Sequence, residues 1–229
     1  MTNNISIPTS CSSAIVFGHA DADGHLAAEQ TRHYLVERGL AVTTLVSPKT
    51  RNYRFWEHLH EFDLHEYDLI VFVDIAFRFR NPSESLSRLL QVSDREDKKQ
   101  FIAIDHHPFT QPECPRDNVL LFEVDDPYDC CLGIPNPDLM EVAALCDGSP
   151  TRIVSTPTLR KRALGVKRAA AHVRGTAGEI LLKLIEERQW DFFEALGDED
   201  CAMHRSVRGF RCLSSEASPL LEHAMGHSS

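Results

Sequence analysis

Apolar and polar residues along this chain follow two alternating patterns. "AIVFG" (Ala14 to Gly18) is a short apolar run, and the "GHLAAEQTRHYLVERG" that follows spaces Leu26, Ala27, Tyr34 and Leu35 near the helical period before Gly39 stops it. This pattern predicts a strand followed by a helix. The alternation continues with "AVTTLV" as a strand, "YRFWEHLHEF" as a short helix, "DLIVFVDIA" as a buried strand and "NPSESLSRLLQV" as a helix with a capping signature. "QFIAIDHH" and "NVLLFEV" read as a fourth and a fifth strand. From about Pro137 the strand signals cease, and "DLMEVAALC", "TLRKRALGVKRAAAHVR" and "TAGEILLKLIEERQWDFFEAL" read as helices.

Strands that alternate with helices and are apolar almost throughout predict an α/β fold. The expected architecture is an open, mostly parallel sheet of about five strands with helices on both faces, followed by a small helical extension. Residues 1–150 are expected to form the α/β domain and 151–229 a helical extension that completes it, with a flexible C-terminal tail, "SSEASPLLEHAMGHSS".

Composition narrows the setting. No apolar run approaches the roughly 20 residues that a membrane helix needs. The start, "MTNNISIPTSCSS", lacks the basic and apolar stretches of a signal peptide, so a cytoplasmic protein without membrane association is expected. The 7 cysteines are irregularly spaced without a CxxC pair, which points to buried thiols and not to a disulfide framework or a zinc ribbon. A formal charge of −10 argues against indiscriminate binding to nucleic acid. The charge is uneven, however: the window from Gly148 to Gly178 has no acidic residue and carries Arg152, Arg160, Lys161, Arg162, Lys167, Arg168 and Arg174. A solvated helix face explains this basic patch as well as a binding surface does.

The candidate chemistry lies at the strand ends. The first strand finishes in "HADAD" (His19, Asp21, Asp23), the third in Asp74 and the fourth in Asp105, His106 and His107. Ligands bind at the carboxyl ends of strands in an open parallel sheet, so these side chains are expected to converge. Asp147 of "AALCDGSP" ends a helix that is placed to return to the same rim. Carboxylates gathered in this way repel one another unless cations neutralise them. A set rich in oxygen with some imidazole suits manganese, magnesium or iron better than zinc, with manganese first. Two such ions about 3.5–4 Å apart can hold a hydroxide and clamp the oxygens of a phosphoryl group during in-line attack.

"GHADADG", "VFVDIA", "AIDHHP" and "AALCDGSP" resemble, in order, the four motifs of the DHH phosphoesterases over residues 14–150. The resemblance implies two manganese ions, with magnesium as the alternative. It places His19, Asp21 and Asp74 on one ion and Asp23, Asp74, His106 and Asp147 on the other, with Asp74 bridging. It also makes Asp74, Asp105, His106 and His107 the catalytic set, in which His107 faces the substrate phosphate and Asp105 orients its neighbours. The HxDxDG form and the fourth motif look closer to RecJ-type single-strand exonucleases than to the oligoribonuclease or pyrophosphatase branches.

The sequence departs from that family in two places. No glycine-rich cluster of a second domain is present, so the substrate grip is missing, shortened, or supplied by a partner chain or a homo-oligomer. Gly148 and Ser149 replace the usual residues after Asp147, which leaves Asp125, Asp126 and Asp129 as rival ligands.

The expected activity is two-metal hydrolysis of phosphoester bonds in single-stranded nucleic acid or short oligonucleotides, as an exonuclease. Substrate contacts are expected from His107, Arg160, Arg162, Lys167 and Arg168, and from Arg78 and Arg80, for which solvent exposure is the stronger explanation. A hydrolase of a small phosphate compound (a cyclic or linear dinucleotide, a nucleotide monophosphate or pyrophosphate) and a catalytically silent DHH-like binding subunit are the alternatives. His58, His60 and His65 fit a solvated helix better than a second metal site. Trp190, Phe192 and Phe193 fit a core better than a base-stacking platform.

Overall fold

Side chains alternate between the two faces of a strand, so a strand that is apolar at every position must be covered on both sides. The computed structural model describes residues 5, 7–46, 52–77, 82–108, 112, 116–148, 155–172, 177–198, 203–206 and 209–212. In it, β3 (Leu69–Val73) is buried at all five positions. β1 (Ser13–Gly18) and β4 (Gln100–Asp105) are buried after their first residue, while β2 (Ala41–Val46) and β5 (Val119–Glu123) form the more exposed edges. The order is β2-β1-β3-β4-β5 and every pairing is parallel, which gives the five-stranded α/β fold that the pattern predicts.

The helices are α1 (Ala22–Val36), α2 (Asn52–His58), α3 (Pro82–Arg95), α4 (Pro137–Asp147), α5 (Pro157–His172), α6 (Ala177–Glu186) and α7 (Trp190–Leu196). Strand alternation divides the core into two layers. Val16, Val71, Val73 and Ile104 pack with Leu26 of α1, Val142 of α4, Val166 of α5 and Phe193 of α7. Ile15, Phe17, Phe72 and Phe101 pack with Phe55, Trp56 and Leu89 from α2 and α3. This second layer is aromatic: Phe17 stacks on Phe72 with ring centres 5.4 Å apart, and Trp56 stacks on Phe77 at 4.5 Å.

The order of the strands also creates the crevice. From β1 the chain moves to β2 on one side, then crosses back over β1 to β3 on the other. The carboxyl ends of β1 and β3 therefore flank the point where the winding reverses, which is where an open α/β sheet leaves room for a ligand.

Two elements differ from the sequence pattern. The helix expected over "TAGEILLKLIEERQWDFFEAL" breaks in two, because Arg188 takes a left-handed φ of 54°. The break is capped: Gln189 N–H donates to Leu184 O at 3.0 Å and the Arg188 guanidinium to Ile185 O at 2.9 Å. The turn allows α7 to pack on α5 and to bury Phe192 and Phe193 as core. Beyond it, β6 (Met203–Ser206) and β7 (Gly209–Cys212) pair antiparallel, where no strand is expected after Pro137. Four-residue strands carry too few positions to show a period of two. The tail expected from residue 214 lies outside the described residues.

Among the described residues no helix is long and apolar enough to cross a membrane. Cys130, Cys131 and Cys146 are buried and Cys11 is half-buried.

At the opposite rim, Asp68 ties β1 to β3. Its carboxylate accepts from Ser12 N–H at 2.8 Å, Ser12 Oγ at 2.9 Å and Ser13 N–H at 3.1 Å. The Ser12 backbone donor leads the contacts that hold this carboxyl down to about 2, against an ordinary 3.8. A depressed carboxyl contributes stability that is complete above the unfolded value and is lost as pH falls through the folded one. Asp68→Asn is therefore expected to lower Tm at pH 7, with the difference from the parent closing between about pH 4 and pH 2. Thermal melts over that range check it.

Candidate metal centre

The β1–α1 turn is tight because glycine allows it. A Cβ on Gly18 would lie 2.7 Å from Gly24 O and 2.8 Å from the Ala28 Cβ, so the helix starts directly against the strand end. Asp21 is the N-cap of α1 and accepts from Gly24 N–H at 3.2 Å. Asp23 consequently lies in the first helical turn, not in extended chain, where the positive end of the helix favours a carboxylate. His19 stays in the loop with Nδ1 2.5 Å from Asp21 Oδ2, and the buried His25 ring braces the turn through its Nδ1 contact with the Asp21 carbonyl.

Asp74 follows β3 immediately. Its N–H donates to Ile104 O at 2.9 Å, which keeps the backbone in the sheet, while a left-handed φ of 57° turns the chain. For a residue with a Cβ this conformation costs about 1–2 kcal/mol. Such strain is characteristic of functional sites. The residue is 2 % exposed, and neither carboxylate oxygen has a hydrogen-bond partner. His106 Nε2 lies 3.0 Å from Asp74 Oδ1, yet this buried nitrogen is not hydrogen-bonded either.

Asp105 is the last residue of β4. Its Oδ1 meets the His107 N–H at 3.1 Å and the His107 Nδ1 at 2.9 Å, while its buried Oδ2 has no partner. Asp147 closes α4, which Gly148 terminates with a left-handed φ of 87°.

These positions form three groups whose ligand atoms lie within 4.8 Å of one another: His19, Asp21 and Asp74; Asp23, His106 and Asp147; and Asp74, Asp105, His106 and His107. His19, Asp21, Asp23, Asp74, His106 and Asp147 all fall in these groups, and Asp74 belongs to two of them. Asp147 joins them, whereas Asp125 is exposed, and Asp126 is buried and caps a short turn by accepting from Tyr128 N–H at 2.9 Å. Asp125, Asp126, Asp129, His58, His60 and His65 fall in no such group among the described residues.

The electrostatics follow from burial and like charge. Burial pushes Asp74 well above the ordinary carboxylate range, and Asp23, Asp21, Asp105 and Asp147 push it further. Asp23 is pushed up to about 7, by burial first and then by Asp21. Burial also acts on Asp21, but the His19 and Gly24 hydrogen bonds outweigh it and hold that carboxyl below its ordinary value. Burial and the neighbouring His107 keep His106 below the usual imidazole value, which favours the neutral, ligating form. The Asp105 hydrogen bond raises His107.

Orphaned buried oxygens and crowded carboxylates are costly in an apolar surround, and divalent cations would relieve both. The donors fit a hard cation. They are carboxylate oxygen and imidazole nitrogen, and burial raises the nearby Cys130 and Cys146 thiols, which keeps them protonated.

The basic candidates are more scattered. Arg162 pairs with Glu194 at 2.6 Å and lies over the Trp190 ring, while Arg168 donates to Leu196 O at 2.5 Å and Asp198 O at 2.6 Å. Lys161 pairs with Asp198 at 2.8 Å, and Arg160 donates to Ser155 Oγ at 2.7 Å. Lys167 instead lines a depression shared with Asp21, Asp23 and Asp147. Arg78, Arg80, Arg152 and Arg174 lie outside the described residues. Missed from the sequence are the bracing His25 and the strained turn at Asp74. The first carries no local signature, and the second falls at a residue type that rarely adopts it.

No protein-family model matches the sequence, and no curated protein does. Among solved structures, exonuclease RecJ bound to manganese matches with a TM-score of 0.50 at 17 % identity, covering 81 % of this chain and 59 % of that one. The chain has a RecJ-like fold. RecJ in complex with Mn2+ from Thermus thermophilus matches the RecJ-like chain with a TM-score of 0.43 at 19 % identity, covering 93 % of this chain and 34 % of that one. For CDC45 from Entamoeba histolytica the TM-score is 0.39 at 12 % identity, with 78 % and 34 % covered. The chain thus spans 59 % of the first of these proteins and 34 % of each of the others.

A carboxyl whose folded value is raised takes up its proton more tightly in the folded state, so stability falls as pH rises from the unfolded value to the folded one. For Asp23 this window runs from 3.8 to about 7. Metal-stripped protein is expected to lose Tm across it, and Asp23→Asn to flatten the loss. Asn also tolerates the backbone at position 74. Asp74→Asn is therefore expected to fold, and added manganese is expected to raise Tm at pH 7 for the parent but not for this variant. Calorimetry with and without manganese reads both effects.

Proposed function

We propose that this protein is a phosphoesterase that uses two divalent ions, manganese first, to hydrolyse phosphodiester bonds in single-stranded nucleic acid or short oligonucleotides. The observation that carries this reading is the convergence on Asp74, a buried carboxylate with no hydrogen bond to either oxygen and with ligand-type groups within 4.8 Å. The fold shared with exonuclease RecJ bound to manganese supports it.

His19, Asp21 and Asp74 would hold one ion and Asp23, Asp74, His106 and Asp147 the other. When bound, the ions would polarise the phosphoryl group and acidify an attacking water. The remaining tasks fall to the chain's own side chains. Asp105, fixed at the end of β4, accepts from His107 Nδ1 and leaves Nε2 to face the substrate. Asp105 also raises His107, which favours the imidazolium that donates to a phosphate oxygen. The buried walls around Asp74 limit water to the open rim, where His107 is 37 % exposed.

A shorter substrate, such as a dinucleotide, is favoured by one observation. Arg162 and Arg168 are committed to α7, so the basic patch offers fewer cations to a long phosphate chain than its sequence suggests.

Stripped protein reconstituted with manganese is expected to cleave an end-labelled single strand. Asp105→Asn should lower the rate about 10–100-fold, as loss of an outer-shell partner does. Asp74→Ala should lower it further. Cleavage of a dinucleotide alone would move the assignment to small substrates. Manganese binding without cleavage of either would make the chain a silent binding subunit.

A further inference from the structure

On the reading just given, we propose that the depression between the first turn of α1 and α5 is the subsite for the nucleotide unit adjoining the reacting phosphate, with Lys167 as its phosphate contact.

The depression holds about 350 Å³ and is lined by Asp21, Asp23, Asp147, Lys167, Ala170 and Ala171. It adjoins the candidate ligands directly, since Asp21, Asp23 and Asp147 belong to their groups and the Asp74 carboxylate lies within 4.8 Å of the His19 and Asp21 ligand atoms. Its volume is at the small end of the range of ligand pockets, which suits one nucleotide unit and not a strand.

Helical spacing explains the lining. Positions 167, 170 and 171 are separated by three and four residues, so the lysine and two alanines share one face of α5. Alanine at both positions leaves a shallow apolar floor, continued by Ala22 of α1, against which a sugar or base can lie.

Lys167 differs from its neighbours on the helix. Lys161, Arg162 and Arg168 are bound to α7 or to the chain just after it, and Arg160 bonds Ser155. These contacts fix the pose of α5. Gly165 reinforces it, because a Cβ there would collide with the Phe193 backbone. Lys167 is exposed and, among the described residues, makes no hydrogen bond or ion pair, although it faces the same depression as three aspartates. A cation held there without a partner matches an anion that arrives with the substrate. One cation above an apolar floor fits a nucleotide better than pyrophosphate, whose clustered charge calls for several cations.

A larger groove of about 510 Å³, lined by Trp56, His60, Arg88 and Arg95, belongs to the aromatic face of the sheet and shares no residue with this site.

The test uses the manganese-loaded protein and two substrates: a 5′-phosphorylated trinucleotide, and bis(4-nitrophenyl) phosphate, which has no second phosphate. For Lys167→Ala the ratio of kcat/KM on the first to that on the second is expected to fall roughly tenfold, the worth of one charge-assisted hydrogen bond. The fall should be mainly in KM, and Lys167→Arg should restore most of it. Binding of a nucleoside monophosphate, read by calorimetry, should weaken by a similar factor. An unchanged ratio, or equal loss on both substrates, would overturn the subsite while leaving the phosphoesterase assignment standing. If the parent cleaves neither substrate, that assignment fails, and calorimetry alone decides the subsite: nucleotide binding lost in Lys167→Ala keeps it, and no binding or unaltered binding removes it.

Discussion

Mutual repulsion among carboxylates held in too little water is the constraint on which this structure turns. Asp21, Asp23, Asp74, Asp105 and Asp147 act on one another, and Asp74 lies at the centre with no hydrogen bond to either oxygen. A fold carries such a cluster only if the rest of the molecule is stable without it, because each unsatisfied buried group costs on the order of 1–3 kcal/mol. The two apolar layers on either face of β3 supply that stability. The residues that bear the charge sit at strand ends or helix ends, where their backbones stay hydrogen-bonded to the frame: Asp74 to Ile104, Asp21 through its carbonyl to His25 N–H, and Asp105 within β4. The backbone is thus satisfied where the side chains are not.

The parallel topology makes that arrangement simple to build. Because β1, β3 and β4 are adjacent and run in one direction, their last residues open onto one rim. Helix α1 brings two further carboxylates at its N-terminus, and α4 brings one at its C-terminus. The placement at α4 works against the helix dipole, whose C-terminal end disfavours negative charge, so Asp147 gains nothing from its own helix. Asp21 and Asp23 lie at the favourable end of theirs. Asp147 is accordingly exposed, where water screens it.

Much of this was legible in the sequence, for identifiable reasons. Near-continuous apolar runs are hard to mistake for anything but buried strands, and ligand-type residues at three strand ends converge by geometry alone. The break at Arg188 was not legible, because a left-handed arginine has no propensity signature. The hairpin at 203–212 was not, because strands of four residues show no periodicity. The basic patch misled for a different reason: composition reveals that cations are present but not which of them are taken up by Glu194, Asp198 and the end of α7. Burial and pairing are properties of the fold, so a charge count overstates the field that a ligand meets.

The order in which ligands can bind follows from the same arithmetic. Five carboxylates gather at the rim of a chain whose formal net charge, these groups included, is −10, so the bare site does not attract a phosphate chain. On the proposed reading, two divalent ions bring four positive charges and nearly cancel the five negative ones. What remains uncancelled at the rim is then the cationic pair of His107, raised by Asp105, and Lys167, free of any ion pair among the described residues. One lies beside the strand ends and the other on α5, so the surviving positive charge marks two positions and not a long track. On that reading metal would precede substrate for electrostatic reasons, and the two cations left at the rim mark where substrate phosphates would lie.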